Sequence, residues 1–151
     1  MLKVIVFASA FTLYILTLSP TIFVGDSPEL ISSAYTLGIA HPPGYPLFSL
    51  IGKAVAFIPF GDSVAYRVNL LSAFLGGISV LFLYLAILKT IWLVRMGSRD
   101  FHSNPGTLES SKPSTVDHLS ALLGSITFAA SPVFWSQAVV AEVYTLNAAF
   151  F

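Results

Sequence analysis

The sequence predicts an all-α membrane protein, and two observations carry this prediction. Charged residues make up 9% of the chain and hydrophobic residues 56%, whereas soluble domains carry about 25% charged residues. The chain also contains several long runs without Asp, Glu, Lys or Arg, and about 20 apolar residues in a helix are enough to cross a bilayer. We therefore expect a multi-pass integral membrane protein, in a prokaryotic plasma membrane or in the endoplasmic reticulum.

The first predicted span covers residues 4–25, which contain no charged residue. Lys3 followed by an apolar run also resembles a signal peptide. However, the run is long, and Ala8-Ser9-Ala10 lies too early to be a cleavage site. The sequence therefore favours a retained transmembrane helix.

Two further spans are predicted, at residues 68–94 and 119–134. The first contains an uncharged run and ends among Lys89, Trp92 and Arg95, residue types that anchor helices at the membrane interface. The helix of the second should end near Ser131, because proline follows it. Residues 142–151 begin another apolar helix. Since the sequence stops inside that run, we expect the chain to be the N-terminal part of a longer protein.

The positive charges predict which loops face the cytoplasm. Lys and Arg cluster in and around residues 95–118, and cytoplasmic loops are enriched in these residues. This leaves 26–67 as one outer loop on the non-cytoplasmic side. Within it, the stretch 47–60 is too short for a span and suits a re-entrant or interfacial segment. The prolines at 42, 43 and 46 should break the loop into two short helices.

The overall charge excludes one class of function. Seven acidic and seven basic residues cancel, so no basic face is available to neutralise a nucleic-acid backbone. The chain has no cysteine, which excludes disulfides, cysteine-based metal sites and thiol catalysis. Membrane lipid is the partner that this composition predicts, and nucleic acid is not one.

Two carboxylates, Asp26 and Glu29, follow the first span directly. One interpretation is a helix capping box, with Asp26 or Ser27 as N-cap, Pro28 in the first turn and Glu29 reaching back to the backbone. The other is catalytic, because a carboxylate at a membrane surface can act as general base toward an acceptor hydroxyl. The local pattern leaves both open.

Three more ionisable residues are candidates for the site. His41 precedes the proline-rich turn and could bind phosphate, a metal or a proton, although a single histidine is more often structural. Arg67 could pair with Asp26 or Glu29, hold an anionic headgroup, or anchor the membrane. Glu142 borders an apolar helix and is either a functional acid or an interfacial charge.

Three segments resemble one family of membrane proteins. They are Gly25-Asp26-Ser27-Pro28-Glu29-Leu30, the stretch LGIAHPPGYPLF at 37–48, and Ala141-Glu142-Val143-Tyr144-Thr145-Leu146-Asn147. The family is a group of multi-pass proteins, formerly of unknown function, related to protein O-mannosyltransferases within the GT-C glycosyltransferase superfamily. The resemblance covers most of the chain but not residues 97–116.

The resemblance implies a GT-C-like transmembrane helix bundle with juxtamembrane helices in the first outer loop. It implies a glycosyltransferase that moves a hexose such as mannose from a polyprenyl- or dolichyl-phosphate carrier to a hydroxyl of a protein or glycan acceptor. No cofactor is certain, but two carboxylates and a histidine could hold a divalent metal. The chain by itself is expected to be inactive, since it holds only part of the donor groove.

The resemblance also assigns roles to residues. Asp26 is the expected base of an inverting transfer, with Glu29 as its helper or as an acceptor contact. From the residues themselves we further hypothesise that His41 and Arg67 would stabilise the departing phosphate charge, and we take Tyr45, Glu142 and Tyr144 as further candidates for substrate binding. The sequence departs from the GT-C pattern in separating the two acids, in placing Pro28 between them, and in having His41 before the Pro-Pro turn where some members have lysine. A non-catalytic membrane protein or a transporter is the alternative.

Overall fold

The computed structural model describes residues 2–99 and 113–150, and within these ranges every regular element is an α-helix. The all-helical prediction is confirmed. In chain order the helices are α1 (Leu2–Leu16), α2 (Ser27–Thr36), α3 (Pro46–Phe57), α4 (Val64–Arg99), α5 (Thr115–Ala129), α6 (Pro132–Ala138) and α7 (Tyr144–Phe150).

Helix α4 is the element around which the others pack. With 36 residues, it is about 54 Å long at a rise of about 1.5 Å per residue, and its segment Val64–Met96 is long and apolar enough to cross a membrane. Among the described residues, α5 and α6 meet the same criterion only if taken as one bent span, while α1 and α3 are apolar but shorter. By length and composition the described residues therefore contain one helix able to cross a membrane, or two if the bent pair is one span.

Helix α1 is shorter than the uncharged run that predicted it. It ends at Leu16, so residues 17–25 of the run 4–25 are not helical. Pro20 has no backbone N–H and disfavours helical geometry at Ser19. The carbonyl of Ser19 instead accepts a hydrogen bond from Asn69 Nδ2 of α4 at 2.8 Å, which ties this segment to the beginning of α4.

Glycines let α1 approach α4 closely. A Cβ atom at Gly77 would lie 3.0 Å from the Phe7 ring, and one at Gly76 would lie 3.2 Å from the Tyr14 ring. Small residues at helix contacts are typical of membrane bundles, because they allow backbones to pack closely. This contact forms part of one hydrophobic core shared by α1, α4, α5 and α6.

The predicted end of a helix near Ser131 is confirmed. Helix α5 ends at Ala129, and α6 leaves it at an angle of 68°. Pro132 stands at the first turn of α6, where its missing N–H costs no hydrogen bond. The hydroxyl of Tyr14 donates to the carbonyl of Ala129 at 3.0 Å, so α1 satisfies a backbone group that the bend leaves open.

Helices α2 and α3 are the two short helices that the three prolines predicted, and they form a hairpin at the beginning of α4. A Cβ atom at Gly52 would lie 2.8 Å from the Ala34 Cβ, so the two helices pack with almost no space between them. Leu30 and Phe48 are buried against Val68 of α4 in a second hydrophobic core. The hairpin therefore has a fixed position on α4.

Polar contacts join α4 and α5 at the opposite end of α4. Arg95 pairs with Asp117 at 2.5 Å, and Asp117 also completes a capping box with Ser114. The Tyr84 hydroxyl lies 2.7 Å from His118 Nδ1. Most of the predicted cytoplasmic loop 95–118 lies outside the described residues.

Candidate functional site

Five of the seven predicted site residues form one group near the end of the molecule where α4 begins. Asp26 and Glu29 belong to the beginning of α2, and His41 and Tyr45 to the turn between α2 and α3. Glu142 lies between α6 and α7, and its charge interacts with those of Asp26 and His41. We call these five residues the acidic cluster.

Asp26 occupies the N-cap position of α2, but its side chain makes no capping hydrogen bond. The carboxylate is 56% exposed, and its Oδ2 lies 3.8 Å from His41 Nε2. That distance is too long for a hydrogen bond. Asp26 therefore presents an accessible carboxylate beside an imidazole, and the capping interpretation does not account for its side chain.

Glu29 holds His41 through both of its carboxylate oxygens. Oε1 accepts from the backbone N–H of His41 at 2.7 Å, and Oε2 accepts from Nδ1 at 2.8 Å. A carboxylate that accepts from Nδ1 fixes both the tautomer and the orientation of the ring. Glu29 thus reaches forward to the turn and not back to the N-terminus of its own helix, so the capping box does not form.

This contact changes the protonation of both partners. The hydrogen bond from the His41 ring lowers the pKa of Glu29, and the backbone N–H of His41 lowers it further. The same side-chain hydrogen bond raises the pKa of His41, and the charges of Asp26 and Glu142 raise it as well. Electrostatics thus favour a carboxylate and an imidazolium that face each other.

Glu142 is the most buried acid of the cluster, with 7% of its surface exposed. Its backbone is fixed by Ser72 of α4, whose hydroxyl accepts from the Glu142 N–H at 3.2 Å and contacts its carbonyl at 3.3 Å. Burial raises the pKa of Glu142, and the charge of Asp26 raises it further. Loss of water disfavours the ionised form, so Glu142 holds a proton more readily than an exposed glutamate.

Tyr45 has a backbone conformation that is unusual for an aromatic residue. Its φ is 43° and ψ is 53°, in the left-handed region that residues with a Cβ rarely adopt. It follows Gly44, whose N–H donates to the carbonyl of His41 at 2.8 Å. The Tyr45 ring lies edge-on to the His41 ring, with centroids 5.4 Å apart.

Two predicted site residues lie apart from the cluster. Arg67 donates through Nη1 to the carbonyls of Ala56 and Ile58 at 2.6 and 2.8 Å, which places it at the C-terminal end of α3. No ion pair joins it to a carboxylate within the described ranges. Tyr144 is exposed and lines a cavity of about 490 Å³ beside the bend between α5 and α6.

Comparison with known proteins identifies the family. A family model described as the Protein O-mannosyl-transferase TMEM260 N-terminal domain matches residues 26–151. This chain belongs to that family. It is 36% identical over 146 residues, or 96% of its length, to a mouse (Mus musculus) protein named Protein O-mannosyl-transferase TMEM260. It is 31% identical over 146 residues, or 95% of its length, to the Dictyostelium discoideum protein of that name.

The match to the TMEM260 family confirms the resemblance inferred from the motifs. It includes every candidate residue from Asp26 to Tyr144. The chain spans 17% of the mouse relative and 15% of the Dictyostelium relative. No solved structure matches the chain.

The sequence left open whether two carboxylates and a histidine hold a divalent metal. Within residues 2–99 and 113–150, no group of three or more His, Asp or Glu side chains is arranged to hold a metal ion. Nδ1 of His41 already donates a hydrogen bond to the Glu29 carboxylate, so this nitrogen is not free to bind a metal ion. In this TMEM260-family chain, the cluster thus consists of acids organised around a histidine.

Sequence reasoning did not find two contacts that build the cluster. The pairing of Glu29 with His41 crosses an irregular turn, for which no periodic pattern exists. The contact of Ser72 with the Glu142 backbone joins residues 70 positions apart. The local signal was a serine inside the uncharged run 68–88, because serine hydroxyls often form hydrogen bonds with backbone groups.

Proposed function

We propose that the protein is a membrane-embedded protein O-mannosyltransferase of the GT-C type, and that this chain supplies its base-bearing outer loop. Membership of the TMEM260 family supports the transferase assignment. The observation that carries the mechanism is the accessible Asp26 carboxylate beside a histidine that Glu29 holds in place. Because the chain covers about a sixth of its relatives' length, the activity belongs to the complete protein.

The proposed reaction is an inverting transfer from a polyprenyl- or dolichyl-phosphate mannose. Asp26 takes the proton of the acceptor hydroxyl, and the hydroxyl oxygen bonds to the anomeric carbon as the bond from that carbon to the phosphate oxygen breaks. The lipid phosphate leaves with the electron pair of the broken bond. An exposed carboxylate that is not engaged in capping is suited to this step, since a general base must lie within hydrogen-bond reach of the proton it removes.

Glu29 and His41 support Asp26 in this mechanism. Both oxygens of Glu29 are engaged by His41, so Glu29 is better suited to positioning the histidine than to acting as a second base. The imidazolium of His41 would orient the Asp26 carboxylate and would contribute positive charge near the leaving phosphate. Arg67 is less suited to binding phosphate, because its donors are engaged by carbonyls of α3.

Replacing Asp26 by Asn tests the assignment of the base. We expect mannose transfer by the complete protein in membranes to fall by about 100-fold or more, since general-base catalysis contributes about 10²–10⁴-fold. The matched control is Asp62→Asn, which removes the same charge from an exposed position in the outer loop and should leave transfer unchanged. Full activity of Asp26→Asn would refute the mechanism. Absence of measurable mannose transfer by the wild-type complete protein would instead favour a transporter or scaffold.

The proposed membrane topology places the acidic cluster on the non-cytoplasmic side. It is supported by the length and apolarity of α4, which separates the cluster from Arg95 and Asp117 near the other end of that helix. Because the chain has no cysteine, single cysteines at Ser32, Asp62 and Ser103 can be labelled individually with a membrane-impermeant maleimide. We expect the first two to label from outside in intact cells or sealed vesicles and the third to label only after permeabilisation. Opposite sidedness of Ser32 and Asp62 would contradict the outer-loop assignment.

A further inference from the structure

A small cleft lies beside the acidic cluster, between the beginning of α3 and α7. It has a volume of about 140 Å³, and its lining includes Tyr45, Phe48, Asn147 and Phe150. Tyr45 belongs to both places, because its ring also contacts the ring of His41. A ligand in the cleft would therefore lie next to the histidine that stands beside Asp26.

The backbone of Tyr45 indicates that its side chain is needed at this point. Glycine would adopt the left-handed conformation without a steric penalty, yet the chain has an aromatic residue there with φ of 43°. Unfavourable backbone conformations of this kind cluster at binding and catalytic sites, where the surrounding structure maintains them. The strain is therefore evidence for a function of the ring.

Asn147 supplies a polar group whose side chain is not used by the fold. It is exposed on α7, and its side chain makes no hydrogen bond with the described residues, while its backbone N–H donates to the carbonyl of Val143 at 3.0 Å. Its amide offers two donors and one acceptor. Together with the hydroxyl of Tyr45, it gives an otherwise apolar cleft two groups that can orient a ligand, the composition typical of small-molecule sites.

We propose that this cleft binds the hexose ring of the glycosyl donor, with Tyr45 and Asn147 as binding residues. A pyranose has apolar C–H faces that pack on aromatic rings, and hydroxyls that both donate and accept hydrogen bonds, so it matches the cleft in both respects. The proposal rests on the glycosyltransferase function proposed above. It adds that the sugar, and not the lipid or the phosphate, is recognised between α3 and α7.

Two ligands that differ only in the sugar test this proposal. Dissociation constants are measured for dolichyl-phosphate mannose and for dolichyl phosphate, with the complete protein in nanodiscs. In Asn147→Ala we expect binding of dolichyl-phosphate mannose to weaken by about tenfold and binding of dolichyl phosphate to stay unchanged. Alanine is the better helix former, so reduced folding of α7 would not explain the loss.

A second pair of variants separates the ring of Tyr45 from its backbone. Tyr45→Asn keeps a residue that tolerates the left-handed conformation but removes the ring, and it should weaken mannose-dependent binding without lowering the melting temperature. Tyr35→Asn is the matched control, because it also removes an aromatic ring, and Tyr35 lies on the same hairpin with its ring exposed. It should bind both ligands as the wild-type protein does.

Three results would overturn the inference. The first is wild-type binding of both ligands by Asn147→Ala and Tyr45→Asn. The second is equal weakening of both ligands, which would assign the cleft to the lipid or phosphate. The third is unchanged donor binding with a raised KM for a peptide or glycan acceptor, which would assign the cleft to the acceptor. Failure of the proposed function would differ from all three, since the wild-type protein itself would then transfer no mannose.

Discussion

Replacing Arg67 by Ala distinguishes its predicted role at the donor phosphate from the structural role that its contacts indicate. The guanidinium donates to the carbonyls of Ala56 and Ile58, and its Nε donates to the carbonyl of Ser63 at 3.2 Å. A cation at the C-terminal end of a helix is also stabilised by the helix dipole. The substitution would therefore loosen the C-terminal turn of α3.

The magnitude follows from how many of these bonds are shielded from water. A hydrogen bond to a charged group contributes about 1.5–3 kcal/mol, but the contact with Ile58 is exposed and the other two are partly buried. Water replaces the lost donor in part, so the substitution should lower the free energy of opening this turn by about 2 kcal/mol. Since each 1.4 kcal/mol is about a tenfold change, the open form should become about 30 times more populated.

Hydrogen exchange with mass spectrometry measures this change directly. Amides in residues 53–60 should exchange about 30-fold faster in Arg67→Ala, while amides at the beginning of α2 should exchange as in the wild-type protein. Arg67→Lys keeps the charge but loses the planar fork, so its exchange should be intermediate. The KM for the mannosyl donor should not change in Arg67→Lys.

The structural assignment of Arg67 would be refuted by the opposite pair of results. Unchanged exchange in residues 53–60 would mean that the three carbonyl contacts contribute nothing. A KM for the donor that rises tenfold or more in Arg67→Lys would restore the phosphate-binding role.

Two further predictions concern the α2–α3 hairpin. In Glu29→Gln the pKa of His41 should fall toward its ordinary value, because the carboxylate that raises it is gone. Carbethoxylation modifies only the neutral imidazole ring and can be followed by mass spectrometry. In this variant, modification of His41 should therefore begin at lower pH than in the wild-type protein. The contact of Glu29 with His41 stabilises the wild-type turn between two pH limits. This stabilisation is lost when the pH falls through the lowered pKa of Glu29, and also when it rises through the raised pKa of His41. An identical modification profile in Glu29→Gln would contradict the contact. Gly52→Ala places a methyl group 2.8 Å from the Ala34 Cβ and should cost about 1–3 kcal/mol. Ala34→Gly in the same chain should restore part of the lost melting temperature, and simple additivity of the two substitutions would show that the helices do not meet there.

Proline positions made the local breaks in the fold predictable. The prolines at 42, 43 and 46 separate α2 from α3, and Pro132 separates α5 from α6, as the sequence indicated. Proline acts on its own residue and its immediate predecessor, so its effect can be derived without knowing the fold. The end of α1 near Pro20 follows the same rule. It was not predicted, because the uncharged run 4–25 indicates an apolar environment and does not show whether the helix is continuous.

The assembly of the site was predictable only in part. Asp26, Glu29 and Glu142 were predicted as site residues because each is a charge next to an apolar segment. The structure brings them to one end of α4. The specific partners were not predictable, because Glu29 could reach either back to its own N-terminus or across the turn to His41. Both choices satisfy the carboxylate, and the packing of α2 on α3 decides between them.

The contact between Ser72 and Glu142 bears on how the site matures during synthesis. Asp26, Glu29 and His41 lie close together in sequence and can form their contacts as soon as α2 and α3 are made. Glu142 reaches α4 only after the two helices on either side of the 68° bend have been synthesised, and its backbone then docks on a serine 70 residues earlier in the chain. Asp26, Glu29 and His41 are thus synthesised well before Glu142. The acidic cluster therefore remains incomplete until α5 and α6 have folded against α4.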